Sequence, residues 1–200
     1  MKVLVACEFS GIVRDAFIAK GHDAISCDLL PTESPGPHYQ GDVHDMINQQ
    51  WDLIIAHPPC TYLCNSGVSW LRKDKGRYAK MTMAGAFFRT FDEIPPIICS
   101  KIAIENPIPH RYAVYEIGRK YDQIVQPWMF GHPESKATCL WLRGLPKLVE
   151  TNNVRAEFRA LPKKDAQRIH WTSPGPGRWK IRSKTYSGIA AAMADQWGVQ

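Results

Sequence analysis

The sequence has no long apolar run. Nothing in it approaches the roughly 18 consecutive apolar residues that a membrane span requires. It also lacks the basic-then-apolar opening of a secretory leader. These absences predict a cytoplasmic protein with no membrane partner. Six cysteines (Cys7, Cys27, Cys60, Cys64, Cys99 and Cys139) are present, but without disulfide-framework spacing and without a second close-spaced pair. A disulfide scaffold is thereby excluded, zinc is disfavoured, and reduced thiols with no metal are expected. No internal repeat and no linker divides the chain. Its 200 residues are read as one domain, 1–200, large enough to bury a core.

The first 150 residues lack net charge, with sixteen Lys/Arg against sixteen Asp/Glu. Residues 151–200 hold nine against three, so the whole surplus of +6 lies there. Within it, "RALPKKDAQRIHW" and "GRWKIRSKTY" interleave basic residues with Trp171, Trp179 and Tyr186. That pattern suits a polyanion such as nucleic acid, although a solvated basic surface has the same composition.

Apolar runs and helical periodicity alternate along the chain. "KVLVACEF", "DAISCDLL", "DLIIAH" and "KIAIENP" read as strands, and a short extended piece precedes "GDVHDM". "QIVQPWMF" and "KATCLWL" read as two late strands. "GIVRDAFIAKG", "TMAGAFFRTFDEI" and "GIAAAMADQWG" read as helices, and "PTESPGPHYQ" and "WTSPGPGRW" as loops. The alternation predicts an open, mostly parallel α/β sheet with helices on both faces. Ligands of such sheets bind at the carboxyl ends of the strands.

Candidate chemistry falls at those ends. In "CEFSG", Phe9, Ser10 and Gly11 turn from the first strand into a helix and could let a cofactor approach the backbone. Asp28 could accept bonds from a ribose diol, and Asp42 could meet an adenine edge; a turn or a helix cap would use the same residues. "HPPC" freezes the backbone with Pro58 and Pro59 immediately before Cys60. A thiol held this rigidly is a candidate nucleophile, whereas Cys64 and Cys99 read as small buried hydrophobes. "IENP" places Glu105 at the next strand end, either as an acid beside the thiol or as a turn cap. Nucleophile and acid in one crevice is the sharpest signal.

"PPC" followed by "ENP", after an N-terminal "EFSG", resembles the DNA cytosine-5 methyltransferases, especially their short phage and prophage forms. "FGHPESKATCLWLRG" and "YSGIAAAMADQWG" are similar to two further family motifs in family order. The resemblance implies a Rossmann-like fold, S-adenosylmethionine as cofactor, DNA as partner, and location in a bacterial host cell. It implies that Cys60 attacks cytosine C6 while Glu105 holds or protonates N3. Phe9, Ser10, Gly11, Asp28, Asp42, Pro58 and Gly188 would bind cofactor. Asn106, Pro107, Arg77, Lys136, Thr138, Lys163, Lys164 and Arg168 would bind substrate. "TYLCNSGVSWLRKDKGRY" would be a loop closing over the base, hinged at Gly67 and Gly76. The chain departs from the family at Glu134, Lys136 and Thr138, where the family has Gln-x-Arg-x-Arg, and at Ile189, where it has Asn. Residues 143–187 leave room only for a reduced target-recognition segment, so a short target, a single-stranded substrate or a specificity-giving partner protein is expected. A catalytically inactive binding module of the same fold, blocking a host factor, is the alternative.

Overall fold

The computed structural model describes residues 1–199. Seven strands form one sheet: β1 (Lys2–Ala6), β2 (Asp23–Asp28), β3 (His38–Gln40), β4 (Leu53–Ala56), β5 (Ile102–Pro107), β6 (Gln123–Val125) and β7 (Thr138–Arg143). Their spatial order is β3-β2-β1-β4-β5-β7-β6, and β7 alone runs antiparallel to its neighbours. The order reverses beside β1, and the crevice of such a sheet opens at that point.

Strand periodicity divides the core in two. Leu4, Ala6, Ile54, Ala56, Ile102, Ile104, Cys139 and Trp141 point to one face. There they meet Met81, Phe88 and Phe91 of α2 (Arg77–Asp92) and Ala113 and Ile117 of α3 (Arg111–Ile117). Val3, Val5, Leu53, Ile55, Ala103 and Leu140 point to the other face. They pack on Val13 and Phe17 of α1 (Ile12–Ala19) and on Ile189, Met193 and Trp197 of α7 (Ser187–Trp197). Because both faces are covered, the central strands are apolar at nearly every position instead of alternating. The fold is the expected Rossmann-like arrangement of a mostly parallel sheet between two helical layers.

Three features of the fold, one of them a departure from the expected strands, have local causes. The first helix carries Arg14, which is fully buried. Its guanidinium donates to Ser26 Oγ and Thr32 Oγ1 and to the carbonyls of Ser34, Pro35 and Pro37, pinning the proline-rich loop onto the sheet. The strand expected through "QIVQPWMF" stops at Val125, because Pro127 has no N–H for a ladder and begins a 3₁₀ turn instead. The basic stretch after β7 contributes nothing to the sheet. It forms α4 (Arg155–Ala160), α5 (Lys163–Ala166) and α6 (Arg178–Ser183), which are polar and short.

Candidate active site

The parallel register of β4 and β5 pairs Ala56 with Ile104, so His57, just past the end of β4, comes beside Glu105, which is still paired with Leu140 of β7. His57 Nδ1 lies 2.7 Å from Glu105 Oε2, with both side chains about nine-tenths buried. Burial disfavours the charge on each, but their mutual attraction outweighs it. The imidazole is held above its ordinary pKa and the carboxyl below its own. The positive charge of Lys136 also favours the Glu105 carboxylate, while the Thr138 hydroxyl donates to the Lys136 carbonyl at 3.2 Å. Lys136 therefore stands near the acid, and Thr138 is tied to Lys136.

Asn106 Nδ2 donates to the Pro58 carbonyl at 2.7 Å, tying the end of β5 to the rigid turn that carries Cys60. Pro58 is buried, and Cys60 then begins a helical turn in which the Cys64 N–H donates to the Cys60 carbonyl at 3.0 Å. Cys64 Sγ lies 3.1 Å from Ser66 Oγ. The neighbouring Cys60 thiol, the Ser66 hydroxyl and the Ser66 and Gly67 amides draw the Cys64 thiol down to about 5 against a burial penalty. The Cys60 thiol is pushed up by Cys64, by burial and by the negative charge of Glu105. Cys64 is only partly buried, whereas Cys99 is buried as expected. The i, i+4 spacing was the available signal, since it places two side chains on one face of a turn.

At the end of β1 the chain takes a left-handed conformation at Cys7 (φ 58°), a strained setting for a residue with a Cβ. Gly11, at φ 75°, caps α1 where a side chain would collide with Arg14. The helix N-terminus is already engaged: Glu8 accepts from the Val13 N–H at 2.7 Å, the Arg14 N–H at 3.2 Å and the Ser10 hydroxyl at 3.1 Å. Asp28 accepts from the Leu30 N–H at 2.9 Å, and Asp42 from both the N–H and Nδ1 of His44. Each acidic residue thus serves a local turn. Burial and the charges of Asp28, Cys27 and Asp42 all push the Cys7 thiol up, which places these groups around one edge of the site.

A single cavity of about 110 Å³ joins the two halves. Phe9 and Ser10 line it from the first turn, His57 to Cys60 and Glu105 to Pro107 from the next strand ends, and Lys136 from the approach to β7. Its last wall is the run Arg182 to Thr185, which nothing in the sequence separates from the rest of the basic segment. Several candidate residues lie elsewhere. The Gly188 N–H donates to His132 Nε2, and the absence of a side chain there lets α7 approach the Phe130 carbonyl. Arg77 turns inward, donating to the Thr61 carbonyl at 3.0 Å with its guanidinium over the Tyr62 ring. Lys163 and Lys164 are exposed on α5, and Arg168 pairs with Glu134 at 2.9 Å. The expected closing loop forms a 3₁₀ helix over Asn65–Arg72, and its Asn65 N–H donates to the Ile108 carbonyl.

No protein-family model matches the chain, and no curated protein matches it in sequence. Among solved structures it is similar to the Entamoeba histolytica methyltransferase EhMeth, at 15% identity and a TM-score of 0.46, over 76% of this chain and 57% of that one. It is also similar to an rRNA methylase from Escherichia coli, at 14% identity and a TM-score of 0.37, over 71% of this chain and 56% of that one. The chain thus spans little more than half the length of either.

Proposed function

We propose that this chain is an S-adenosylmethionine-dependent methyltransferase acting on C5 of cytosine in DNA, through a covalent bond from Cys60. The observation that carries the reading is the cavity shared by Cys60, His57, Glu105, Phe9 and Ser10. A nucleophile, a proton-holding pair and the cofactor turn meet there.

The residues present fit the cofactor. The Phe9 ring offers an apolar contact, and Asp28 has a second carboxylate oxygen beyond the one that takes the Leu30 N–H. When bound, the cofactor supplies an electrophilic methyl group. Every other task falls to the chain. Cys60 forms the bond to C6 as its thiol proton leaves to a base. Negative charge then develops toward the ring nitrogen, where the His57–Glu105 pair holds a proton to offset it. The C5 carbon, now electron-rich, can take the methyl. Loss of the C5 proton to a base releases Cys60. Pro58, clamped by Asn106, keeps the sulfur in place, since errors near 1 Å cost orders of magnitude in rate. In duplex substrate the base must leave the stack to reach this cavity.

The test combines the purified chain, tritiated S-adenosylmethionine and a panel of single- and double-stranded DNA and RNA. Transfer to cytosine is expected in the wild type and not in Cys60→Ala. A covalent adduct with 5-fluorocytosine DNA should form only with the wild type, because fluorine blocks the final proton loss. Calorimetry showing no cofactor binding at millimolar concentration would overturn the reading. So would equal transfer by the alanine variant.

A further inference from the structure

The charges around the cavity do not all cancel. Glu8 is engaged by the amides of Val13 and Arg14, and Glu105 by His57. Lys184 Nζ pairs with Glu33 Oε2 at 2.5 Å. Two cations remain. Lys136 Nζ donates to the Lys184 carbonyl at 2.9 Å, and it makes no ion pair among the described residues. Arg182, half-buried in the same wall, has neither a hydrogen-bond nor an ion-pair partner among the described residues. Its planar fork matches the oxygens of a phosphate. Thr185 adds a hydroxyl to the same wall, whereas the Ser183 hydroxyl donates to the Lys180 carbonyl at 3.1 Å.

Lys136 and Arg182, without an ion-pair partner among the described residues, thus bring positive charge to the same cavity as the nucleophile and the acid. A cytosine nucleotide carries both a neutral base and an anion.

We propose that Arg182, with Lys136 and the Thr185 hydroxyl, holds the phosphate of the nucleotide whose cytosine lies against Cys60 and Glu105. This assignment rests on the cytosine reading of the site. It is distinct from general attraction to a polyanion, because Lys163, Lys164 and Arg168 lie outside the cavity and Arg168 is already paired with Glu134. The same phosphate could arrive on a free mononucleotide or within a strand.

The experiment is calorimetric titration of the full chain with deoxycytidine, deoxycytidine monophosphate and a short cytosine-containing single strand. Wild type, Arg182→Gln and the charge-retaining Arg182→Lys are compared. In the wild type a phosphate-bearing ligand should bind at least about tenfold more tightly than deoxycytidine, as a charge-assisted contact implies. Arg182→Gln should erase that preference while leaving deoxycytidine and S-adenosylmethionine binding unchanged, and Arg182→Lys should restore part of it. A preference shown by the monophosphate identifies a free nucleotide as sufficient; one confined to the oligonucleotide identifies the phosphate of a strand. Equal binding of nucleoside and phosphate forms, an intact preference in Arg182→Gln, weakened S-adenosylmethionine binding in that variant, or no binding of any of the three ligands would each overturn the assignment. If Arg182→Gln keeps full methyl transfer and full phosphate preference, this site fails and the cytosine reading stands. If the preference depends on Arg182 but no Cys60 adduct ever forms, the phosphate site stands and the methyltransferase reading fails.

Discussion

His57 and Glu105 face each other from neighbouring strand ends with Nδ1 2.7 Å from Oε2, and each sustains the charge of the other. The imidazole is raised and the carboxyl lowered, so the pH dependence of their contribution is fixed in sign. The His57 share is complete below the unfolded imidazole value of about 6.5 and is lost as pH rises through its raised folded value. The Glu105 share is present above the unfolded carboxyl value of about 4.3 and is lost as pH falls through its lowered folded value. The pair is therefore strongest between about pH 4.3 and 6.5. Urea denaturation should show that His57→Gln costs about 3–5 kcal/mol at pH 6, as expected for a broken buried pair, and less at pH 9. Parallel stability profiles for the two proteins would contradict a charged pair.

The two thiols predict an order of labelling. With limiting iodoacetamide at pH 7, Cys64 should be alkylated before Cys60, because its thiol is drawn down while that of Cys60 is pushed up. Cys60→Ala removes the neighbouring thiol that draws Cys64 down and should slow labelling of Cys64. Peptide mass spectrometry reads both effects. Faster labelling of Cys60 would assign the resting thiolate to the other sulfur.

Arg14 is expected to be a determinant of stability. Arg14→Met leaves the carbonyls of Ser34, Pro35 and Pro37, the buried Ser26 hydroxyl and the part-buried Thr32 hydroxyl without their donor. At about 1–3 kcal/mol for a buried group left unsatisfied, and less for the part-buried acceptors that water can reach, a loss of about 1–3 kcal/mol should appear as a lower urea midpoint. An unchanged midpoint would mean that water replaces the guanidinium without cost.

Nucleic-acid binding should depend on salt through α5 and its surroundings. Replacing Lys163, Lys164 and Arg168 together with Ala should flatten the plot of log affinity against log salt, by about 0.7 for each phosphate of a single strand that is no longer neutralised. Arg77→Ala, by contrast, should leave the slope unchanged, since that side chain is engaged by Thr61 and Tyr62. Equal slopes for the wild type and the triple variant would make the basic segment a solvated surface only.

Much of the fold was legible because burial on both faces of the sheet writes nearly unbroken apolar runs into "KVLVA", "LIIA" and "IAIENP". Helical spacing gave the locations of α1, α2 and α7, and Pro58, Pro59 and Cys60 marked a rigid strand exit. The short α3 to α6 were missed, since a helix of four to seven residues carries little periodic signal. So was the burial of Arg14, because only the folded loop and the neighbouring strand together supply five acceptors to one guanidinium. The candidate site divides the same way. Sequence alone placed Cys60 and Glu105 at strand ends, a local property of each segment. Three features depend on strand order, register and packing between segments far apart in the chain: the parallel register that sets His57 against Glu105, the bond between Asn106 and Pro58, and the return of Arg182 to Thr185 over the cavity. Those relationships exist only in the tertiary structure.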